Sequence, residues 1–344
     1  MEKLVLIGFG TVGQGFLELL VQKKKFLKEN FGLDYKLVAV CDSLKGSVLN
    51  NNGLDMEKVL KWVKAGKNLN NFPDGKNGLN ALETIEKANG TVMFEATYTD
   101  IKKAEPATTH IKNALDKGMD VVTTNKGPIA LYYKELSELA KRKKKILRFE
   151  GTVMAGTPVF SLLQNGMAGC EIKEIKGILN GTTNFILTKM EEGLSYEEAL
   201  KIAQDLGYAE AVPDADVLGW DALAKVCILA NVVFGARVKP DPKKLECIGI
   251  TEIKKEDIFK AKEEGKRYKL IGKVWKEKGK VKVKVSPELL ELSDPLSSVM
   301  GSTNALSFIN DALNSVTIVG PGAGRKETGY AMLNDFILIH KNRR

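Results

Sequence analysis

A glycine-rich turn near the start of the chain constrains the fold more than any other feature. Gly8, Gly10 and Gly13 have the spacing G-x-G-x-x-G, follow a short apolar run and open an amphipathic segment. A buried strand, a tight turn and a helix in this order predict a dinucleotide-binding βαβ unit, with the pyrophosphate at the helix N-terminus. The predicted cofactor contacts in this turn are Gly8, Phe9, Gly10, Thr11, Val12 and Gly13.

The next predicted strand, residues 35–42, indicates which dinucleotide binds. It ends at Asp42, a carboxylate placed to bind the ribose hydroxyls of NAD and to disfavour the 2′-phosphate of NADP. Ser43 and Lys45 follow and could accept that phosphate, so NAD is the expected cofactor and NADP a tolerated one. The alternative is that Asp42 merely caps the turn after the strand.

Two later strands end in polar residues. One runs from Thr91 to Glu95 and continues into Thr97 and Tyr98, and another ends just before Lys126. Because ligands of open α/β sheets bind at the carboxyl edge of the strands, Thr97, Tyr98 and Lys126 are predicted to lie at the cofactor site. For Lys126 the alternative is a solvated surface cation.

The pattern changes after residue 150 and predicts a second domain. Residues 171–179 alternate between polar and apolar, which is typical of a half-solvated strand in an antiparallel or mixed sheet. Residues 315–324 contain a further strand and a turn with Gly320 and Gly322, which we expect to return to the cofactor site. The predicted fold class is α/β, with a discontinuous Rossmann-type dinucleotide-binding domain (1–150 and 315–344) and an α+β domain with a mixed sheet (151–314).

An acidic stretch stands out in a chain whose formal net charge is +9. No basic residue lies between Lys201 and Lys225, whereas this gap contains Asp205, Glu210, Asp214, Asp216 and Asp221. Asp221 and Lys225 are four residues apart on a predicted helix, so they share a face. A carboxylate beside an amine can bind an ammonium group and donate a proton. The alternative is an ordinary surface ion pair after a loop of turn acids.

Composition narrows the function classes. His110 and His340 are the only histidines, so acid–base chemistry near neutral pH falls to Lys, Asp, Glu or Tyr. Four cysteines without metal-ligand spacing indicate free thiols in a reducing cytoplasm. Apolar runs are too short for a membrane span. The lysines mostly alternate with glutamates, so nucleic acid is not the expected partner, although a nucleotide-sensing or nucleic-acid-binding protein remains an alternative.

Six motifs in order resemble the homoserine dehydrogenase family over almost the whole chain. They are residues Gly8–Gly13, Val121–Pro128, Glu150–Pro158, Gly177–Asn184, Gly207–Lys225 and Gly320–Gly324. The resemblance implies NAD(P)-linked interconversion of L-homoserine and L-aspartate 4-semialdehyde, in the biosynthesis of threonine, methionine and isoleucine. It also implies that the second domain binds the substrate and carries the catalytic residues, and that its sheet forms a homodimer. Another amino-acid dehydrogenase, acting on aspartate for instance, is the alternative within enzymes.

The resemblance also assigns roles to residues. It makes Lys225 the proton donor and acceptor, with Lys126 nearby, and it makes Glu210 and Asp221 substrate-binding residues. The same motifs extend the substrate site to Gly181, Thr182, Thr183 and Asn184. A sodium or potassium ion is expected at Glu150 and at the carbonyls of Val153, Ala155 and Thr157. The chain resembles the short, monofunctional form, for which threonine feedback through an appended domain is not expected.

Overall fold

A computed structural model describes residues 1–343. The first half contains β1 (Glu2–Ile7), α1 (Thr11–Phe31), β2 (Tyr35–Asp42), β3 (Gly46–Leu54), α2 (Met56–Lys64), β4 (Lys76–Asn77), α3 (Ala81–Lys87), β5 (Val92–Glu95), α4 (Ala107–Asp116), β6 (Asp120–Thr123), α5 (Lys126–Arg142) and β7 (Leu147–Arg148). The second half contains β8 (Ile172–Ile178), α6 (Gly181–Glu191), α7 (Tyr196–Asp205), α8 (Asp214–Val217), α9 (Trp220–Val233), β9 (Glu246–Cys247), α10 (Lys255–Glu263), β10 (Lys266–Glu277), β11 (Lys280–Glu291), β12 (Thr303–Asn310), β13 (Ser315–Pro321) and α11 (Arg325–Asn342).

The chain folds into two compact units. The first comprises Met1–Gly156 and Gly324–Arg344, and the second comprises Thr157–Ala323. The α/β fold class with a mixed second sheet is confirmed. Across residues 1–343, no helix combines the length and apolarity that a membrane span requires.

The first unit is built on a sheet with the strand order β4-β3-β2-β1-β5-β6-β7. Its centre is parallel, since β1 pairs with β2 and β5 in the same direction. The apolar run from Leu4 to Ile7 is at most 1% exposed, as expected for a strand covered on both faces. The Asn-rich segment after Asp42 adds β3 and β4 as antiparallel edge strands.

Helix α11 belongs to the core of this first unit although it follows the second unit in sequence. Phe336 of α11 is fully buried, and its ring packs edge-on against Tyr35 and Phe94 at centroid distances of 5.8 and 5.5 Å. Burial of a large aromatic ring contributes strongly to the stability of a core, so Phe336 fixes α11 in this unit. This packing explains why the unit is discontinuous.

The second unit contains a sheet with the order β13-β12-β8-β10-β11-β9. Most neighbours are antiparallel, but β11 and β9 pair in parallel. Strand β13 pairs with β12 from Ser315 to Pro321, so the prediction that residues 315–323 belong to the first domain is wrong. The physical reason is local: the two strands are joined by a short connection at residues 311–314, which favours antiparallel pairing with the preceding strand.

Candidate active site

The glycine turn of the first unit has the geometry that a pyrophosphate requires. Gly8 has φ +91°, and a side chain on it would collide with the backbone of Ala96, while one on Gly13 would collide with the carbonyl of Gly8. A Cβ on Gly10, by contrast, would meet no atom of the described residues within 4 Å. Gly10 also caps α1 without a side-chain hydrogen bond, so no capping side chain occupies the helix N-terminus, where a pyrophosphate would bind.

Asp42 is bound to this turn and to the turn that follows it. Its Oδ2 accepts from the N–H of Phe9 at 2.7 Å, and its Oδ1 accepts from the N–H groups of Leu44 and Lys45 at 3.0 Å each. Lys45 Nζ lies 3.9 Å from the same carboxylate. Asp42 therefore does cap the following turn, and it also ties that turn to the glycine motif. Ser43 is exposed.

Thr97, Tyr98 and Lys126 come after the ends of neighbouring strands, and Asn125 connects them. Asn125 Nδ2 donates to the carbonyls of Thr97 and Tyr98 at 3.3 and 2.9 Å, and its Oδ1 caps α5 at the N–H of Gly127. Lys126 is thereby the first residue of α5, a position where the helix dipole disfavours a cation. Sequence reasoning missed Asn125, although an Asn before Lys-Gly-Pro is a recognisable N-cap signal.

The predicted cation loop is supported by a residue from α11. The N–H of Glu150 donates to Asp335 Oδ2 at 2.8 Å, and Arg148 Nε donates to Asp335 Oδ1 at 2.7 Å. Burial raises the pKa of Asp335 to about 6; Arg148 opposes this rise and Glu150 adds to it. Asp335 lies 187 residues from Arg148, so no local pattern could have predicted it.

The backbone of this loop is buried and turned. Glu150, Val153 and Ala155 are each at most 2% exposed, and Ala155 adopts a left-handed conformation with φ +45°. Thr157 belongs to the second unit, where its hydroxyl donates to the carbonyl of Pro321 at 3.0 Å. Within the part of the chain that the structure describes, no group of three or more His, Cys, Asp or Glu side chains is placed to hold a metal.

In the second unit, Asp221 and Lys225 form a nearly buried pair on α9. Lys225 Nζ donates to Asp221 Oδ2 at 2.7 Å and to the carbonyl of Leu179 at 2.7 Å. The side chains of Lys225 and Asp221 are 9% and 15% exposed. The alternative of an ordinary surface ion pair is therefore excluded.

Asn180 joins this pair to a second carboxylate of the acidic stretch. Its Nδ2 donates to Asp216 Oδ1 at 2.7 Å and to Asp221 Oδ2 at 3.2 Å, and its Oδ1 caps α6 at the N–H of Thr183. We refer to Asn180, Asp216, Asp221 and Lys225 as the carboxylate cluster. Neither Asn180 nor Asp216 was among the predicted site residues, because their pairing joins positions 36 residues apart.

The predicted substrate residues of α6 differ in what they bind. Thr182 Oγ1 donates to the carbonyl of Tyr208 at 2.7 Å, which connects α6 to the acidic stretch. Thr183 is fully buried, and its hydroxyl lies 3.1 Å from the carbonyl of Asn180. Glu210 is exposed, and its backbone carbonyl accepts from Gln204 at 3.2 Å.

Asn184 belongs to a separate buried network. Its Nδ2 donates to the carbonyls of Val299 and Thr303 at 3.1 Å each, and its Oδ1 accepts from Lys269 Nζ at 3.0 Å. Lys269 is 0% exposed and also donates to the carbonyl of Val299 at 2.6 Å. Burial lowers the pKa of Lys269 to about 8. We refer to Asn184, Lys269 and Val299 as the carbonyl cluster.

Gly320 and Gly322, predicted to bind the cofactor, lie at the end of β13 and just beyond it in the second unit. A side chain on Gly320 would collide with Thr157, and one on Gly322 would collide with the side-chain amide of Asn304. Close packing within the second unit therefore requires glycine at both positions. A contact of either glycine with the cofactor stays a prediction.

Comparison with known proteins identifies the family. Residues 158–337 match the family described as homoserine dehydrogenase, and residues 8–150 match the homoserine dehydrogenase NAD-binding domain. An NAD(+)-dependent homoserine dehydrogenase from Pseudomonas canavaninivorans is 41% identical over 341 residues, which cover 99% of this chain and 96% of that protein. A homoserine dehydrogenase from Methanocaldococcus jannaschii is 39% identical, with 98% of both chains covered.

A solved structure agrees with the sequence relatives. The homoserine dehydrogenase of a hyperthermophilic archaeon in complex with NADPH superimposes with a TM-score of 0.83 at 31% identity, covering 99% of this chain and 98% of that one. The glycine turn, the buried lysine–carboxylate pair and these matches over both units lead to one conclusion. The chain belongs to the homoserine dehydrogenase family and is an NAD(P)-dependent oxidoreductase.

Proposed function

We propose that the chain interconverts L-homoserine and L-aspartate 4-semialdehyde, in the biosynthesis of threonine, methionine and isoleucine. The observation that carries this proposal is the buried Asp221–Lys225 pair, held by Asn180 and by the carbonyl of Leu179. Because the chain has only two histidines, acid–base chemistry falls to other residues. In this pair, Lys225 can donate a proton and Asp221 can bind an ammonium group.

Lys225 acts as the acid in aldehyde reduction and as the base in alcohol oxidation. When bound, the nicotinamide cofactor would supply the hydride in reduction and accept it in oxidation. Asp221 and the Leu179 carbonyl orient Nζ, and the adjacent carboxylate favours the ammonium form that protonates the developing alkoxide. In the opposite direction the neutral amine takes the hydroxyl proton. Lys126 as the second catalytic lysine stays a prediction.

The substrate is held at the start of α6 and along the acidic stretch. We assign Glu210 and Asp221 to the ammonium group, and the N–H groups of Gly181 and Thr182 to the opposite end of the amino acid. Thr183 and Asn184 are supporting residues in this proposal, because their side chains are buried and bonded to the protein.

NAD is the proposed cofactor, with NADP tolerated. A carboxylate oxygen has two lone pairs, so Asp42 can bind ribose hydroxyls while it keeps its backbone partners. Ser43 and Lys45 lie where a 2′-phosphate would need a partner. The 41% identical relative is named for NAD(+), and the solved neighbour contains NADPH, which supports an assignment that allows both. Thr97 and Tyr98 are proposed to line the nicotinamide side.

We further propose a sodium or potassium ion at Glu150 and at the carbonyls of Val153 and Ala155, with Thr157 as the predicted fourth ligand. The fit rests on a buried carboxylate beside a loop whose left-handed Ala155 turns its backbone sharply. One carboxylate with several carbonyls suits a hard cation of low charge. The ion itself carries no step of the mechanism above.

A cytoplasmic homodimer formed through the second sheet completes the proposal. Val319 of β13 and Leu289 of β11 are 55% and 44% exposed, which leaves apolar side chains on strands of that sheet. The four cysteines of the described chain are free thiols, in keeping with a reducing compartment.

An assay of cofactor reduction tests the proposed function. L-homoserine should be oxidised with NAD and, less efficiently, with NADP, whereas L-aspartate should give no turnover with either cofactor. Turnover of aspartate but not homoserine would assign the chain to the competing dehydrogenase class. A strong preference for NADP would instead identify Lys45 as a phosphate-binding residue.

A further inference from the structure

The side chain of Asn304, in the second unit, is buried without any hydrogen bond to the described part of the chain. Asn304 on β12 is 0% exposed, and neither its Nδ2 nor its Oδ1 has a hydrogen-bond partner among residues 1–343. Buried amides are almost always paired, so such an exception calls for a ligand or another partner. Asn310 on the same strand shows the ordinary case, since it bonds to Phe308, Ala312 and Leu313.

The amide of Asn304 lies between two glycines at the predicted site. A side chain on Gly322 would collide with it, and a Cβ on Gly181 would come within 3.5 Å of its Oδ1. Gly181 is the first residue of α6 and follows Asn180, which binds the two carboxylates of the carboxylate cluster. The unpaired amide is therefore next to the start of α6.

The start of α6 can itself bind an anion. Asn180 Oδ1 caps the N–H of Thr183, so the N–H groups of Gly181 and Thr182 remain for a ligand at the positive end of the helix dipole. Asn180, whose amide binds the carboxylates of the carboxylate cluster, directly precedes this helix end, and the neutral amide of Asn304 lies close to its first residue, Gly181.

Carboxylates and neutral N–H donors, both close to the start of α6, suit the two charged groups of an amino acid. An ammonium group is best bound by the carboxylates, which leaves the α-carboxylate for neutral N–H donors. We propose that Asn304 is a further substrate-binding residue, whose amide binds the α-carboxylate of the amino-acid substrate together with the first turn of α6. This inference rests on the proposed function and adds a specificity residue to it.

A pair of substrates that differ only in the carboxylate tests the assignment. Asn304→Ala should lower kcat/KM for L-homoserine by about tenfold or more, mainly through KM, because a hydrogen bond to a charged group is lost. The inhibition constant of 3-aminopropan-1-ol, which has the same alcohol and amine without the carboxylate, should not change. KM for NAD should also stay the same.

Two controls separate binding from structure. Asn310→Ala should lower Tm, since three partners lose their bonds, and should leave both constants unchanged. Asn304→Ala should not lower the Tm of the ligand-free protein comparably, because its amide bonds to nothing there. If the alanine variant does not fold, Asn304→Leu, of similar volume, takes its place.

Three results would overturn the proposal. Equal weakening of homoserine and 3-aminopropan-1-ol would mean that Asn304 only shapes the site, and a rise in KM for NAD alone would assign the amide to the cofactor. An unchanged kcat/KM for homoserine in a folded variant would remove Asn304 from substrate binding. Wild-type oxidation of homoserine, measured alongside, shows whether the proposed function itself holds.

Discussion

Two polar clusters lie along α6, and each pairs an asparagine with a buried lysine. At the start of the helix, Lys225 bonds to a carboxylate and to a carbonyl, and its side chain is 9% exposed. One turn later, Lys269 bonds to the amide oxygen of Asn184 and to the carbonyl of Val299, and it is 0% exposed.

The two clusters differ in charge and in exposure, and we propose that the carboxylate cluster takes part in the chemistry while the carbonyl cluster supports the fold. The carboxylate cluster combines negative charge, partial access and a helix N-terminus, which is what an amino-acid substrate requires. The carbonyl cluster offers Lys269 only neutral partners in direct contact, so burial lowers the pKa of Lys269 instead of creating a binding site. Both clusters contain an asparagine and a lysine, so the charge and the exposure of their surroundings account for the different roles that we propose.

The same substitution at the two lysines gives the largest expected contrast. Lys225→Met should lower kcat by about 10²–10⁴-fold, the usual contribution of a general acid or base. Lys269→Met should leave kcat within about threefold of wild type, because its ammonium group donates to Asn184, Val299 and Met300 and to no residue of the carboxylate cluster in the described chain. Both variants are compared by initial rates at saturating homoserine and NAD, after circular dichroism confirms that they are folded.

If Lys225→Met loses less than about threefold in kcat, Lys225 is not the proton donor. An equally large loss in Lys269→Met would mean that the carbonyl cluster also takes part in the chemistry.

Substitution of the two asparagines should affect stability in the opposite order, with the larger loss in the carbonyl cluster. Asn184→Leu leaves Lys269 Nζ and two backbone carbonyls with fewer partners, so the free energy of unfolding should fall by about 3 kcal/mol. Asn180→Leu removes a helix cap and should cost about 1 kcal/mol. In activity the order reverses, because Asn180 holds Asp216 and Asp221 in place.

Urea unfolding and steady-state kinetics on the two leucine variants measure both quantities. A large rise in the homoserine KM of Asn184→Leu, with stability unchanged, would restore the prediction that Asn184 binds substrate directly.

Whether the sequence could predict a feature depends on how far apart along the chain the interacting residues are. The G-x-G-x-x-G spacing of the glycine turn and the Asp221–Lys225 pair involve residues only a few positions apart. Strand β13 was placed in the wrong domain because a strand followed by glycines does not reveal which sheet it joins.

The missed residues share a different property. Asn180, Asp216, Asn304 and Asp335 are defined by partners or neighbours far along the chain, such as the contact of Asp335 with Arg148 across 187 positions. Local periodicity contains no information about such pairs. Polar residues at the ends of helices and strands are good candidates for site residues. Only the folded structure shows which of them are in contact.

The smallest expected effect tests the charge state of the carbonyl cluster. The pKa of Lys269 is lowered from 10.5 to about 8 by burial, with Arg267 adding to the shift and Glu191 opposing it. Below pH 8 the lysine is charged in both the folded and the unfolded chain, so its desolvation cost is fully present. Between about pH 8 and pH 10.5 the folded chain has lost this proton and the unfolded chain retains it.

Unfolding then takes up a proton, so wild-type stability should rise relative to Lys269→Met across this window, by at most about 1.4 kcal/mol per pH unit. Other titrating groups are common to both proteins and cancel in the difference. Urea midpoints of the two proteins at pH 7, 8, 9 and 10 measure it, provided that both remain folded. A difference that stays constant with pH would mean that Lys269 titrates alike in both states, and the contrast with the carboxylate cluster would then rest on its partners alone.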